Sequence, residues 1–100
     1  MYKLLLVSDQ EDVLNAFAQV SNWEMNGFKA PHIRHDFEGA VDSLAKHHAD
    51  GICIALSDPE EEEKLLAYLQ EYFPDVSIFE GGRTEEEVLR YLSELKILLN

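Results

Sequence analysis

Apolar residues occur along this chain in two patterns, short continuous runs and longer segments with helical spacing, and the two patterns alternate four times. Four short apolar runs predict β-strands. Each is followed by a longer segment whose apolar residues recur every three or four positions, as in an amphipathic helix. The predicted strands are Lys3–Val7, Lys29–Arg34, Ile52–Leu56 and Val76–Phe79, and the predicted helices lie near Asp9–Ser21, Phe37–His48, Pro59–Phe73 and Glu85–Leu98. Strict strand–helix alternation with short connections predicts an α/β fold, a doubly wound parallel sheet with helices on both faces.

Residues suited to capping a helix precede each predicted helix. Serine, threonine and aspartate cap by accepting a backbone N–H, and a glutamate three residues later completes a capping box. The candidate caps are Ser8 with Glu11, Asp36, Asp58 with Glu61, and Thr84 with Glu87. Pro59, at the first helical position, needs no amide partner. Pro31 cannot donate to a β-ladder, so the second predicted strand belongs at an edge of the sheet.

Length and charge narrow the classes of function. One hundred residues predict a single domain, residues 1–100, with one uninterrupted sequence of elements. The net charge of −12 argues against nucleic-acid binding through this domain, which requires clustered Lys and Arg. The lone cysteine, Cys53, lies in an apolar strand and favours a buried thiol. With no signal peptide or long apolar run, we expect a cytoplasmic location and no membrane partner.

The carboxyl ends of the predicted strands are where ligands bind in an open α/β sheet. These ends carry Ser8 and Asp9, Leu56, and Glu80. Phosphoryl transfer to an aspartate needs a nucleophilic carboxylate, acidic ligands for a divalent cation, and donors for the phosphoryl oxygens. Asp9 is a weak candidate metal ligand, Leu56 is not a carboxylate, and Glu80 would repel a phosphoryl group. We therefore expect a binding or regulatory module without cofactor, not an enzyme.

Two alternatives remain open at these strand ends. Asp58, two residues beyond the third predicted strand, would serve as phosphoacceptor if it acted with Asp9 and Mg²⁺. The cleft outside the strand ends would instead hold a small molecule if the domain were a sensor.

Three segments resemble response-regulator receiver domains. The opening, residues 1–10, is similar to their first strand and the acidic residues after it, and Ala49-Asp50-Gly51 is similar to the lead-in to their phosphoacceptor strand. The segment from Asn22 to Phe28, with Trp23 and Gly27, resembles receivers attached to AraC-type DNA-binding regulators. The resemblance implies a flavodoxin-like, receiver-like sheet of four strands in the order 2-1-3-4, truncated after the fourth βα unit.

Most of the family's functional residues have no equivalent in this sequence. The acidic pair corresponds to Ser8 and Asp9, the phosphoacceptor to Leu56, and the switch Thr or Ser to Glu80, while the fifth-strand lysine has no counterpart. The resemblance therefore implies a degenerate, or pseudo-receiver, domain. Its expected function is non-catalytic signalling as the N-terminal part of a transcriptional regulator, through contacts with the other protein domains of that regulator.

A homodimer is the expected assembly. Without a fifth strand, the fourth predicted strand would be a sheet edge with unpaired backbone groups. The last predicted helix carries apolar residues on more than one face, which exceeds what one sheet face needs. The expected interface residues are Val76, Phe79, Tyr91 and Leu98. The alternative is that the second apolar stripe folds over the edge within one chain.

Overall fold

The structure, a computed structural model, describes residues 1–100. Its elements are β1 (Leu4–Ser8), α1 (Glu11–Ala18), β2 (His32–Arg34), α2 (Phe37–Lys46), β3 (Gly51–Ala55), α3 (Pro59–Tyr72), β4 (Ser77–Glu80) and α4 (Glu85–Leu99). One turn of 3-10 helix, Glu24–Asn26, lies between α1 and β2. None of these helices has both the length and the apolar character needed to cross a membrane.

The four strands form one all-parallel sheet in the order β2-β1-β3-β4. The central strands, β1 and β3, are buried along their whole length because helices cover both of their faces. The predicted α/β class, parallel pairing and strand order are therefore confirmed. The order matches the first four strands of the flavodoxin-like arrangement.

Each face of the sheet carries its own apolar core. Helices α1 and α4 cover one face, where the core includes Leu4, Leu6, Val13, Phe17, Cys53, Val88, Leu92 and Leu95. Helices α2 and α3 cover the other, where the core includes Leu5, Val7, Leu44, Ile52, Ile54, Leu56, Leu65 and Leu69. Successive residues of β1 and β3 alternate between the two cores, as the two-residue period of a strand requires.

The connection before β2 is held by the chain's N-terminus. Tyr2 donates its N–H to Gly27 O at 3.0 Å and accepts from Lys29 N–H at 2.9 Å. Gly27 adopts φ = 87°, a left-handed conformation that favours glycine. Trp23 stacks on Phe17 of α1 with ring centroids 6.1 Å apart. The strand itself starts after Pro31, later than predicted, and lies at the sheet edge as the proline indicates.

Three of the four predicted helix caps are confirmed. The Asp36 carboxylate accepts from Gly39 N–H at 2.7 Å, and Asp58 accepts from Glu60 N–H at 3.0 Å. The Thr84 hydroxyl accepts from Glu87 N–H at 3.2 Å. Local sequence is sufficient for these caps because each bond spans only two or three residues.

The predicted cap at Ser8 is wrong, and so is the reciprocal bond expected from Glu61. Ser8 is the last residue of β1, and α1 begins at Glu11, after Gln10, whose side chain makes no capping bond. Glu61 reaches across to α2, where its carboxylate accepts from Phe37 N–H at 2.9 Å. Both side chains take distant partners, which a local motif does not reveal.

Candidate functional site

Ser8 joins the ends of the two central strands. Its hydroxyl donates to Ala55 O at 2.8 Å, and it accepts from Gln10 N–H at 3.0 Å. The side chain is fully buried, so its bond to Ala55 is shielded from water. Ser8, which the sequence resemblance equates with the first acidic residue of a receiver, therefore holds a structural hydroxyl with its hydrogen bonds satisfied inside the protein.

Asp9, the next residue, is bound by the loop after β3. One carboxylate oxygen accepts from Ser57 N–H at 2.9 Å and the other from the Ser57 hydroxyl at 2.6 Å. The Ser57 hydroxyl lowers the pKa of Asp9, burial partly opposes this effect, and the Ser57 N–H and the charge of His35 lower the pKa further. Asp9 is therefore an ionised carboxylate with both oxygens already hydrogen-bonded within the chain.

Leu56 lies between the two residues that make these cross-strand contacts. Its side chain is only 4% exposed and belongs to the core between the sheet and helices α2 and α3. Leu56, which the sequence resemblance equates with a phosphoacceptor, thus lies in an apolar core, among residues such as Leu5, Val7 and Leu65. Its burial agrees with the uninterrupted apolar run that ends at Leu56 in the sequence.

Acidic side chains from three elements surround this end of the sheet. Glu80 is exposed at the end of β4. Burial raises the pKa of Glu62 on α3, and the charges of Glu80 and Asp9 raise it further. Glu62, Glu80 and Asp9 are therefore close enough to repel one another, and this end of the sheet is negatively charged. Glu62 is not predictable from the sequence, since nothing in the run Glu60–Glu63 distinguishes the residue that turns toward the sheet.

Asp58, the alternative phosphoacceptor, caps its own helix. It lines an open groove between the N-terminal ends of α2 and α3. The groove residues are Asp36, Phe37, Glu38, Asp58, Glu60, Glu61 and Lys64. No group of three or more His, Cys, Asp or Glu side chains is arranged to hold a metal ion. Each oxygen of Asp9 accepts one hydrogen bond from Ser57, so a cation at Asp9 would share these oxygens with the serine.

The turn after β4 is closed and its side chains are engaged. Gly82 has φ = 87°, and a Cβ there would lie 2.9 Å from a ring carbon of Phe17. Arg83 donates to the Asp12 carboxylate at 2.8 Å.

The only cysteine is also engaged in this region. The Cys53 thiol donates to Gly81 O at 3.4 Å, and burial, followed by the charge of Glu87, raises its pKa to about 12. This thiol is therefore protonated and unreactive at neutral pH.

The predicted interface residues differ in exposure. Val76 and Phe79 are half-buried, and Leu98 is 73% exposed. Tyr91 is not on an outer face as expected: it is buried and stacks on Phe79 with ring centroids 4.3 Å apart. Its hydroxyl lies beside Ser77 without a hydrogen bond of good geometry, and burial raises its pKa to about 12. Part of the second apolar stripe thus packs within the chain.

Comparisons with protein-family models, with curated proteins and with solved structures found no match to this chain. The evidence for a function is therefore the geometry at the strand ends. There Leu56 is buried, Ser57 donates two hydrogen bonds to Asp9, and Glu62 and Glu80 repel each other.

Replacing Ser57 by alanine should raise the pKa of Asp9, because the hydroxyl is the largest cause of its lowered value. The pKa is measured from the carboxyl carbon shift of Asp9 in an NMR titration. A carboxylate with a lowered pKa stabilises the fold at neutral pH, and that contribution disappears as the pH falls through the lowered pKa. The stability difference between wild type and Ser57→Ala should therefore shrink in acid.

Ser93→Ala is the matched control, since Ser93 is exposed on α4. It should leave the pKa of Asp9 unchanged. An unchanged pKa of Asp9 in Ser57→Ala as well would contradict the role given to the serine.

Proposed function

We propose that this domain is a degenerate receiver-like module that regulates by protein–protein contact and does not accept a phosphoryl group. It would form the N-terminal part of a cytoplasmic transcriptional regulator and would contact the other domains of that regulator. The confirmed sheet order supports the proposal at the level of fold. The choice between a working and a degenerate receiver depends on the strand ends.

The burial of Leu56 is the observation that carries the proposal. A phosphoacceptor must present a carboxylate to solvent at the end of the central strand, where a phosphodonor can approach in line. Here the corresponding side chain is apolar and 4% exposed, within the core. A leucine side chain contains no oxygen, so Leu56 cannot act as the nucleophile that accepts a phosphoryl group.

The electrostatics around Leu56 support the same proposal. A phosphoryl group brings negative charge, which active sites stabilise with fixed cations or hydrogen-bond donors. At these strand ends three carboxylates interact, those of Asp9, Glu62 and Glu80, and the basic group that acts on Asp9 is the imidazole of His35. The nearest basic side chain of the following turn, Arg83, is paired with Asp12. The field therefore opposes phosphorylation.

Incubation with Mg²⁺ and acetyl phosphate, and separately with Mg²⁺ and beryllofluoride, tests this proposal. We expect no phosphoryl addition in the intact mass and no saturable shift of the amide resonances of Asp9, Ser57 or Asp58. A mass increase that is abolished in Asp58→Asn would contradict the proposal and establish Asp58 as the acceptor. A mass increase retained in that variant would contradict it equally, with the acceptor elsewhere.

The β4 and α4 side of the domain is the proposed contact surface between two copies. β4 is an edge strand, so one row of its backbone groups has no strand partner. Leu98 and Ile97 are 73% and 77% exposed on the last turns of α4, the helix that follows β4. An open sheet edge and exposed apolar side chains favour a two-fold homodimer, the commonest assembly of soluble proteins. Val76 and Phe79 would contribute their exposed portions.

Light scattering of the purified domain at micromolar concentration should give the mass of a dimer. Leu98→Glu should give a monomer, because two buried carboxylates would face each other across the two-fold axis. Tyr72→Glu is the control: it introduces the same charge at a side chain 61% exposed on α3, on the other face of the sheet. A monomeric wild-type protein would remove the proposed dimer.

A further inference from the structure

A basic cavity lies at the end of the sheet opposite the receiver-like site. It has a volume of about 150 Å³ and sits beside the starts of β1 and β2 and the C-terminal end of α2. Its lining consists of Lys3, Leu4, Lys29, Ala30, His32 and His47. Four of these six side chains can carry a positive charge and none can carry a negative one. The space suffices for a few water molecules or one small oxyanion.

This composition is opposite to that of the whole chain. The protein has 20 acidic residues against 8 Lys and Arg, and acidic side chains line both of its other cavities. Two of the 8 basic residues, Lys3 and Lys29, nevertheless converge on this small cavity. Neither is paired: the three ion pairs of the structure are Lys46–Asp42, His48–Asp50 and Arg83–Asp12.

The two histidines of the cavity stack on each other. The rings of His32 and His47 have centroids 4.3 Å apart and lie within 21° of parallel. No ring nitrogen of either makes a hydrogen bond within the chain, so their donors are available to a ligand. Face-to-face stacking does not direct two ring nitrogens at one point between them, which disfavours a shared metal ion.

One carboxylate, that of Asp50, lies close to the cavity, and its charge attracts that of Lys3. Asp50 accepts from the backbone N–H of Lys3 at 2.8 Å with one oxygen and contacts His48 Nε2 at 2.8 Å with the other. Burial, followed by the positive charges of His47, Arg34 and Lys3, lowers the pKa of His32. Asp50 therefore offsets part of the charge of Lys3, and no carboxylate forms an ion pair with Lys29, His32 or His47.

We propose that this cavity binds a small doubly charged oxyanion, a phosphate- or sulfate-type group, between Lys3, Lys29, His32 and His47. The two ammonium groups supply fixed charge, and the imidazole N–H groups supply hydrogen bonds once the rings are protonated. A bound dianion removes the repulsion among these four groups. The inference is independent of the proposed receiver-like function because the cavity lies at the other end of the sheet.

Proton uptake should accompany anion binding. In the free protein, burial, followed by neighbouring positive charge, holds the pKa of His32 below its ordinary value. A bound dianion favours the imidazolium and raises that pKa, so the complex holds more protons than the free protein. By linkage, affinity should increase as the pH falls from about 7.5 to about 6.

Titration with sodium sulfate, followed by two-dimensional amide NMR of the ¹⁵N-labelled protein, tests the proposal. Sulfate keeps its double charge throughout this pH range, so a change of affinity reports on the protein. We expect saturable shifts centred on Lys3, Lys29, His32 and His47, with tighter binding near the lower pH. Lys29→Gln should weaken binding by about tenfold, and His32→Gln should reduce the pH dependence. All the substituted side chains are exposed, so the variants should fold.

Lys64→Gln removes the same charge from α3, in the acidic groove, and should bind sulfate like the wild type. Shifts that grow linearly and are reproduced by sodium chloride at equal ionic strength would overturn the proposal, as would equal effects of Lys29→Gln and Lys64→Gln. Saturable histidine shifts with Zn²⁺ alone and none with sulfate would also overturn it.

A second titration compares inorganic phosphate with glycerol 3-phosphate at one pH. Tighter binding of inorganic phosphate indicates a free ion as the ligand, and tighter binding of glycerol 3-phosphate indicates a phosphorylated metabolite.

Discussion

The pairing of β1 with β3, each covered by helices on both faces, is the constraint on which the rest of the molecule depends. Every residue of these two strands is buried, so their sequences are apolar and any polar chemistry is confined to the ends of the sheet. At the carboxyl ends the strands are tied together by Ser8 to Ala55 and by Asp9 to Ser57. These bonds leave the intervening Leu56 in the core. The end that would hold a receiver's phosphorylation site is therefore closed by structural contacts.

The two ends of the sheet also differ in charge. At the carboxyl ends, burial raises the pKa of Glu62 on α3, and repulsion from Glu80 of β4 and from Asp9, just after β1, raises it further. Lysines and histidines line the cavity at the starts of β1 and β2. In a protein of net charge −12, the long-range field repels anions, so only a local concentration of cations can bind one. We therefore propose protein contact at the β4 and α4 side and anion binding at the starts of β1 and β2.

Features set by local chemistry were predictable from the sequence, and features set by tertiary contacts were not. The parallel sheet follows from four strand–helix repeats, and the caps at Asp36, Asp58 and Thr84 need only neighbouring residues. Ser8 was misassigned because its partner lies 47 positions away. Tyr91 was expected on an outer face of α4 because apolar residues cover much of that helix, and their pattern does not show which side faces the sheet. The basic cavity was missed because its residues come from three separate segments that only the fold brings together.

The stability of Leu56→Asp, compared with that of Leu56→Asn, tests the central claim most directly. If Leu56 closes the core, both variants lose about 2–5 kcal/mol of unfolding free energy. The aspartate variant should lose more as the pH rises. Burial and the nearby carboxylates raise the pKa of the introduced carboxyl, so its ionisation destabilises the fold above the unfolded-state pKa. Equal stability of the two variants at neutral pH, together with Mg²⁺ binding by Leu56→Asp, would contradict the account.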